Sequence, residues 1–168
     1  MKIARIKQLA LVMGCIFLAA CSEKDDKQET DGVSADVSTN VENVTEEKVK
    51  ITVYCSNENV DGFIKLEAEI DEKNEKEIVK QLFEVGVLPD TVKVTKLENE
   101  DKVLSIHFNE AFREYISTQG TAGEYVIIGC IVNTFLDAYE AENAYLFVGD
   151  QPLETGHNVY NEALGFFE

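Results

Sequence analysis

Basic residues are scarce in this chain. It holds 15 Lys and Arg against 32 Asp and Glu over 168 residues, a formal net charge of −17. A field of that sign repels polyanions, which argues against nucleic acid as a partner and against an anionic lipid or polymer bound through the general field. Histidine is as sparse, with His107 and His157 alone. No HExxH, CxxC or clustered ligand spacing occurs, and the many acids form no EF-hand loop. Glycines do not gather into a phosphate-binding loop. No metal, no cofactor and no catalytic set is therefore expected. There is no internal repeat, and no apolar run reaches the length of a membrane span.

The N-terminus is the exception to the acidity. Lys2, Arg5 and Lys7 precede an apolar run from Leu9 to Ala20, too short to cross a bilayer and typical of a secretion signal. The run closes in Leu18-Ala19-Ala20-Cys21, which resembles the lipobox of bacterial lipoproteins. That resemblance implies cleavage before Cys21, lipidation of Cys21, and an anchored protein on the extracytoplasmic face of the cell membrane. More than one acyl chain suffices for stable anchoring where one does not. The alternative is an ordinary cleaved signal in which Cys21 is incidental. Cleavage would remove three bases and no acids, taking the net charge to −20.

From Ser22 to Glu47 there is no aromatic residue, and nine acids face Lys24 and Lys27. Such a segment buries too little to offset its ordering entropy, so residues 21–47 are expected to form a disordered acidic tether. Over 26 residues a flexible chain spans roughly 30 Å, before self-repulsion lengthens it. A folded domain is expected over 48–168, after a signal peptide over 1–20.

Within that domain Ile51, Val53 and Cys55 alternate with polar neighbours as a half-buried strand, and Phe63 to Ile70 alternates as a second, with Ile64, Leu66, Ala68 and Ile70 inward. Asn74 opens an amphipathic helix carrying Ile78, Val79, Leu82 and Phe83, stopped by Gly86 and Pro89. Thr91 to Lys96 and Val103 to Phe108 read as a hairpin across a polar turn at Glu98 to Lys102. Asn109 caps a short helix to Ile116. The stretch Thr121 to Tyr139 is the dominant element, an almost wholly apolar helix whose Thr121 and Glu124 make a capping-box pattern. A strand from Ala144 to Val148 follows. The expected class is α+β: a mixed sheet of about four or five strands with helices packed on one face.

Lys50–Asn57 (KITVYCSN), Val103–Phe112 (VLSIHFNEAF) and Gly129–Asp150, with Val132-Asn133-Thr134-Phe135 at its centre, together resemble a GerMN domain, as does Gly156-His157 near the end. That family recurs in sporulation and spore-germination lipoproteins and other bacterial envelope proteins. The resemblance covers about 120 residues from Lys48 on. It implies a fold akin to ring-building modules, and a scaffold or assembly factor more than an enzyme. Asn133, Thr134, Gly156 and His157 stand at the motif positions. The chain departs from the family at His107, where an acid is common, and at Gly149-Asp150, where Asp-Gly is common.

The residues nominate little chemistry. His107 falls on the polar side of its strand and reads as a surface histidine; His157 reads as fixing a turn by hydrogen bonding. Cys55 and Cys130 read as small buried hydrophobes, with a disulfide between them as the alternative in an oxidising envelope. Asn133 interrupts an apolar helix, so burial obliges it to hydrogen-bond, and it is expected to hold a neighbouring loop. The expected function is a lipid-anchored, non-catalytic binding or scaffold protein whose partner is a protein or a cell-wall component. The rival readings are a cell-wall hydrolase using paired carboxylates and a small-ligand carrier, which needs an apolar cavity.

Overall fold

The computed structural model describes residues 48–168. The signal, Cys21 and the tether lie outside the described residues. Strands β1 (Val49–Ser56) and β2 (Phe63–Ile70) form an antiparallel hairpin in full register, Val49 opposite Ile70 and Ser56 opposite Phe63. Helix α1 (Glu75–Glu84) follows, its Asn74 side chain accepting from the backbone N–H of Lys76 and Glu77. Two of the orphan donors of the first turn are thereby satisfied. Then come β3 (Val94–Glu100), β4 (Val103–Phe108), α2 (Glu110–Ser117), α3 (Thr121–Tyr139) and β5 (Asn143–Val148). Two short strands close the chain, β6 (Gln151–Glu154) and β7 (Val159–Tyr160).

The sheet is mixed and has five strands in the order β3-β4-β5-β6-β7. Only β4 and β5 run parallel, and α2 and α3 make the crossover between them. Leu104, Ile106 and Phe108 on β4, with Ala144, Leu146 and Val148 on β5, supply one buried row each. Phe112 and Ile116 of α2 and the long apolar flank of α3 bury against the same core. The α+β class and the strand count agree with expectation. What differs is the first hairpin, which forms a separate two-stranded sheet with β1 lying along α3.

That difference changes several side chains. Ile64 and Leu66, expected inward, are 45% and 41% exposed. Their strand is the outer member of a pair, and it is β1 that meets the core. Phe83 was expected in the buried stripe of α1, yet it is 47% exposed while Ile78, Val79 and Leu82 are covered. The polar stretch Glu98–Glu100 belongs to β3 rather than to the turn, because an edge strand tolerates polar side chains. The turn itself is Asp101-Lys102, both at positive φ, the mirror-image geometry whose twist suits a two-residue hairpin. Among the described residues no helix is long and apolar enough to cross a membrane.

Candidate binding site

Helix α3 is apolar around most of its circumference, so its few buried polar groups stand out. Asn133 is fully buried and bonds twice to one residue: Nδ2 donates to the Phe167 carbonyl at 2.9 Å, and Oδ1 accepts from the Phe167 N–H at 2.8 Å. A strand-like pairing is thus made by a side chain, and it pins the C-terminal tail. Thr134, one residue on, accepts from the Tyr54 N–H of β1 at 3.0 Å and donates to the Cys130 carbonyl at 2.7 Å. Thr134 therefore gives the free edge of β1 a partner.

Glu124 does a third such job. The capping box is not formed: Gly120 is the N-cap residue and makes no side-chain bond, and Thr121 is the first helical position. Glu124 is instead 1% exposed and turned to the β6–β7 loop. Its Oε1 accepts from Thr155 Oγ1 at 2.9 Å, Asn158 Nδ2 at 3.3 Å and Tyr160 Oη at 2.8 Å. Its Oε2 is buried without a hydrogen-bond partner. Burial, and then the Glu124 carboxylate, hold the Tyr160 phenol well above its usual pKa.

Gly156 and His157 lie in that loop and are exposed. The loop is fixed by the Thr155 hydroxyl, which accepts from the His157 and Asn158 N–H groups at 3.1 and 3.0 Å, and not by the imidazole. His107 is a clearer correction: it is 8% exposed, not a surface group. The alternation along β4 placed it rightly on the second face, but Phe147 of β5 stands opposite in register and stacks on it at 4.5 Å. Its Nδ1–H donates to the Gly149 carbonyl at 2.7 Å, tying β4 to the turn before β6. Cys55 and Cys130 are buried free thiols that line one small cavity of about 230 Å³. Burial pushes Cys130 up to about 12 and raises Cys55 too, which keeps both thiols protonated and poor nucleophiles at neutral pH. Among the described residues no cluster of His, Cys, Asp or Glu could hold a metal ion.

A larger concavity lies elsewhere, on the outer side of α1, with a volume of about 420 Å³. Its apolar floor is Val79 and Phe83 of α1, with Pro89, Val92 and Val94 from the chain leading into β3. Lys76 and Lys80, one turn apart on α1, stand on one rim and Lys93 on the other. The wall is set by Asn109, whose side chain was expected to cap α2 and does not. Its Oδ1 accepts from the Lys93 N–H at 3.1 Å, and its Nδ2 donates to the Thr91 carbonyl at 2.9 Å. The Asn109 N–H also donates to the Lys93 carbonyl at 3.0 Å, and β3 begins at Val94, not at Thr91. Phe83 is half-exposed beside this wall.

No family model and no curated protein matches the chain. Solved structures do match, these two among them. One is the pair of tandem GerMN domains of the sporulation protein GerM from Bacillus subtilis, with a TM-score of 0.54 and 15% identity over 77% of this chain. The chain spans 49% of the length of that pair. The other is a Clostridium perfringens protein named as a lipoprotein, with a TM-score of 0.47 and 14% identity, covering 70% of this chain and 87% of that one. The fold of residues 48–168 is thus an α+β fold of the GerMN kind.

Proposed function

We propose that this chain is a lipid-anchored, extracytoplasmic binding or scaffold protein of envelope or spore-envelope assembly, without catalytic activity of its own. One observation carries the non-catalytic part. Each buried polar side chain, His107, Glu124, Asn133 and Thr134, bonds to a neighbouring segment of the fold. The motif residues Asn133 and Thr134 therefore act as architecture. The lipobox ending in Cys21, ahead of a GerMN-like fold, supports the anchored, envelope-facing location, and the name of the GerM protein supports the spore-envelope setting.

Growth of an expressing bacterium with a labelled fatty acid tests the anchor. The wild-type chain should carry label and sediment with membranes, and Cys21→Ser should do neither; an unlabelled wild type overturns anchoring. Cross-linking in intact envelopes should enrich a protein or peptidoglycan fragment over a control lipoprotein, and an empty result removes the scaffold reading. The purified chain should leave peptidoglycan intact. Release of soluble fragments would overturn the non-catalytic reading in favour of the paired-carboxylate hydrolase.

A further inference from the structure

We propose that the groove between α1 and the segment 89–94 receives an acidic, amphipathic peptide segment of a protein partner. The proposal rests on the binding-protein reading and names the chemistry of the partner. The first ground is charge. Residues 48–168 contain ten Lys and Arg and 23 Asp and Glu, and no Lys or Arg follows Arg113. Three of those ten bases, Lys76, Lys80 and Lys93, rim this single groove, where Asp90 is the one acid among the lining residues. Lys80 is only loosely paired, to Glu77 at 3.5 Å, and neither Lys76 nor Lys93 has an ion pair among the described residues. An acidic segment is therefore repelled over most of the domain and attracted here, which fixes where it lands.

The second ground is the floor. Phe83 is half-exposed over Val79, Val92 and Val94, an aromatic anchor of the kind that dominates binding energy when desolvated. A volume of about 420 Å³ lies within the usual range for a binding pocket and takes a few side chains, not a domain face. Charge range decides the size of the anionic partner as well. Screening limits the three lysines to about 8 Å at physiological salt, so a short segment feels them while a long polyanion feels the net negative field. A peptide with two or three apolar residues flanked by carboxylates satisfies both requirements.

The test is selection of a random dodecapeptide library on the full chain carrying Cys21→Ser, followed by affinity measurement on the enriched peptides. The expected winners combine Asp or Glu with large apolar residues, and their affinity falls steeply with ionic strength. Lys76→Glu with Lys80→Glu should weaken them about tenfold or more, and Phe83→Ala comparably. All three are solvent-facing positions, so the variants should fold, and circular dichroism checks this. The charge-reversed double variant should in turn gain affinity for the same peptide with its acids changed to lysines, a rescue that misfolding cannot mimic. Library enrichment of basic or neutral peptides, no enrichment at all, or winners indifferent to both variants would overturn the proposal. Preference for anionic muropeptides over every acidic peptide would overturn it in favour of a cell-wall ligand. None of these outcomes touches membrane anchoring or envelope cross-linking, which are read separately on Cys21 and in intact envelopes.

Discussion

Gly129 faces the ring of Phe63 so closely that a Cβ there would collide with it, and the same Cβ would lie 3.1 Å from Cβ of Phe167. Alanine would gain about 1 kcal/mol of helix propensity, while overpacking a filled site costs about 1–3 kcal/mol. Gly129→Ala should thus lose about 1 kcal/mol net, seen as a fall of a few degrees in Tm by calorimetry. Asn133→Ala removes both bonds to Phe167 and leaves a backbone N–H and carbonyl to find water. A loss of about 2–3 kcal/mol is expected, with carboxypeptidase trimming the tail far faster than in the wild type. The sequence announced Asn133, because a lone amide in an apolar helix must find a partner. It misdirected for Glu124, because the Thr-x-x-Glu spacing describes a local bond, whereas Glu124 bonds to Thr155 and Tyr160, 31 and 36 residues away. Tertiary donors outcompeted the helix terminus, and no local pattern records them.

Among the elements, α3 was readable to the residue, since a 19-residue apolar stretch bounded by Gly120 and the left-handed Glu140 leaves little choice. The groove was not. Its sequence trace is Lys76, Val79, Lys80 and Phe83, one helical face in which Val79 and Phe83 look like core and the lysines like solvated rim. Phe83 stands beside the segment leading into β3, which Asn109 holds at Thr91 and Lys93, 18 and 16 residues away in the chain. Asn109→Ala should therefore cost about 1–2 kcal/mol in denaturant unfolding. It should also speed hydrogen exchange at Lys93, whose N–H loses its acceptor. An unchanged exchange rate at Lys93 would show that the wall stands without Asn109.

For the molecule as a whole, hydropathy gave the class and the number of strands in the sheet but not its membership. The first hairpin alternates as well as any sheet strand, yet Thr134 occupies the backbone edge of β1 that another strand would need. The pH dependence is also a property of the whole. Tyr160, Tyr115 and Tyr139 are raised from 10.0, and Cys55 and Cys130 from 9.0, in each case chiefly by burial. The folded state then holds protons that the unfolded chain releases, so stability is full below about pH 9 and is lost as pH rises beyond it. Asp71 and Glu98 act in the opposite sense, held low by hydrogen bonds from Lys48 and Lys96, and weaken the fold only as pH falls toward about 4. Chemical denaturation across pH should give a broad neutral plateau with a steep alkaline edge, and Tyr160→Phe should make that edge shallower.

The bond between Asn133 and Phe167 also has a consequence in time. Phe167 lies 34 residues beyond Asn133, so synthesis delivers the partner of the central helix well after the helix itself. Until then Asn133 has no partner for its buried amide, and α3 cannot settle at low cost. At roughly 5–20 residues per second, those 34 residues take about 2–7 seconds to make. The tail is thus a late clasp, closing on a helix that was made before it.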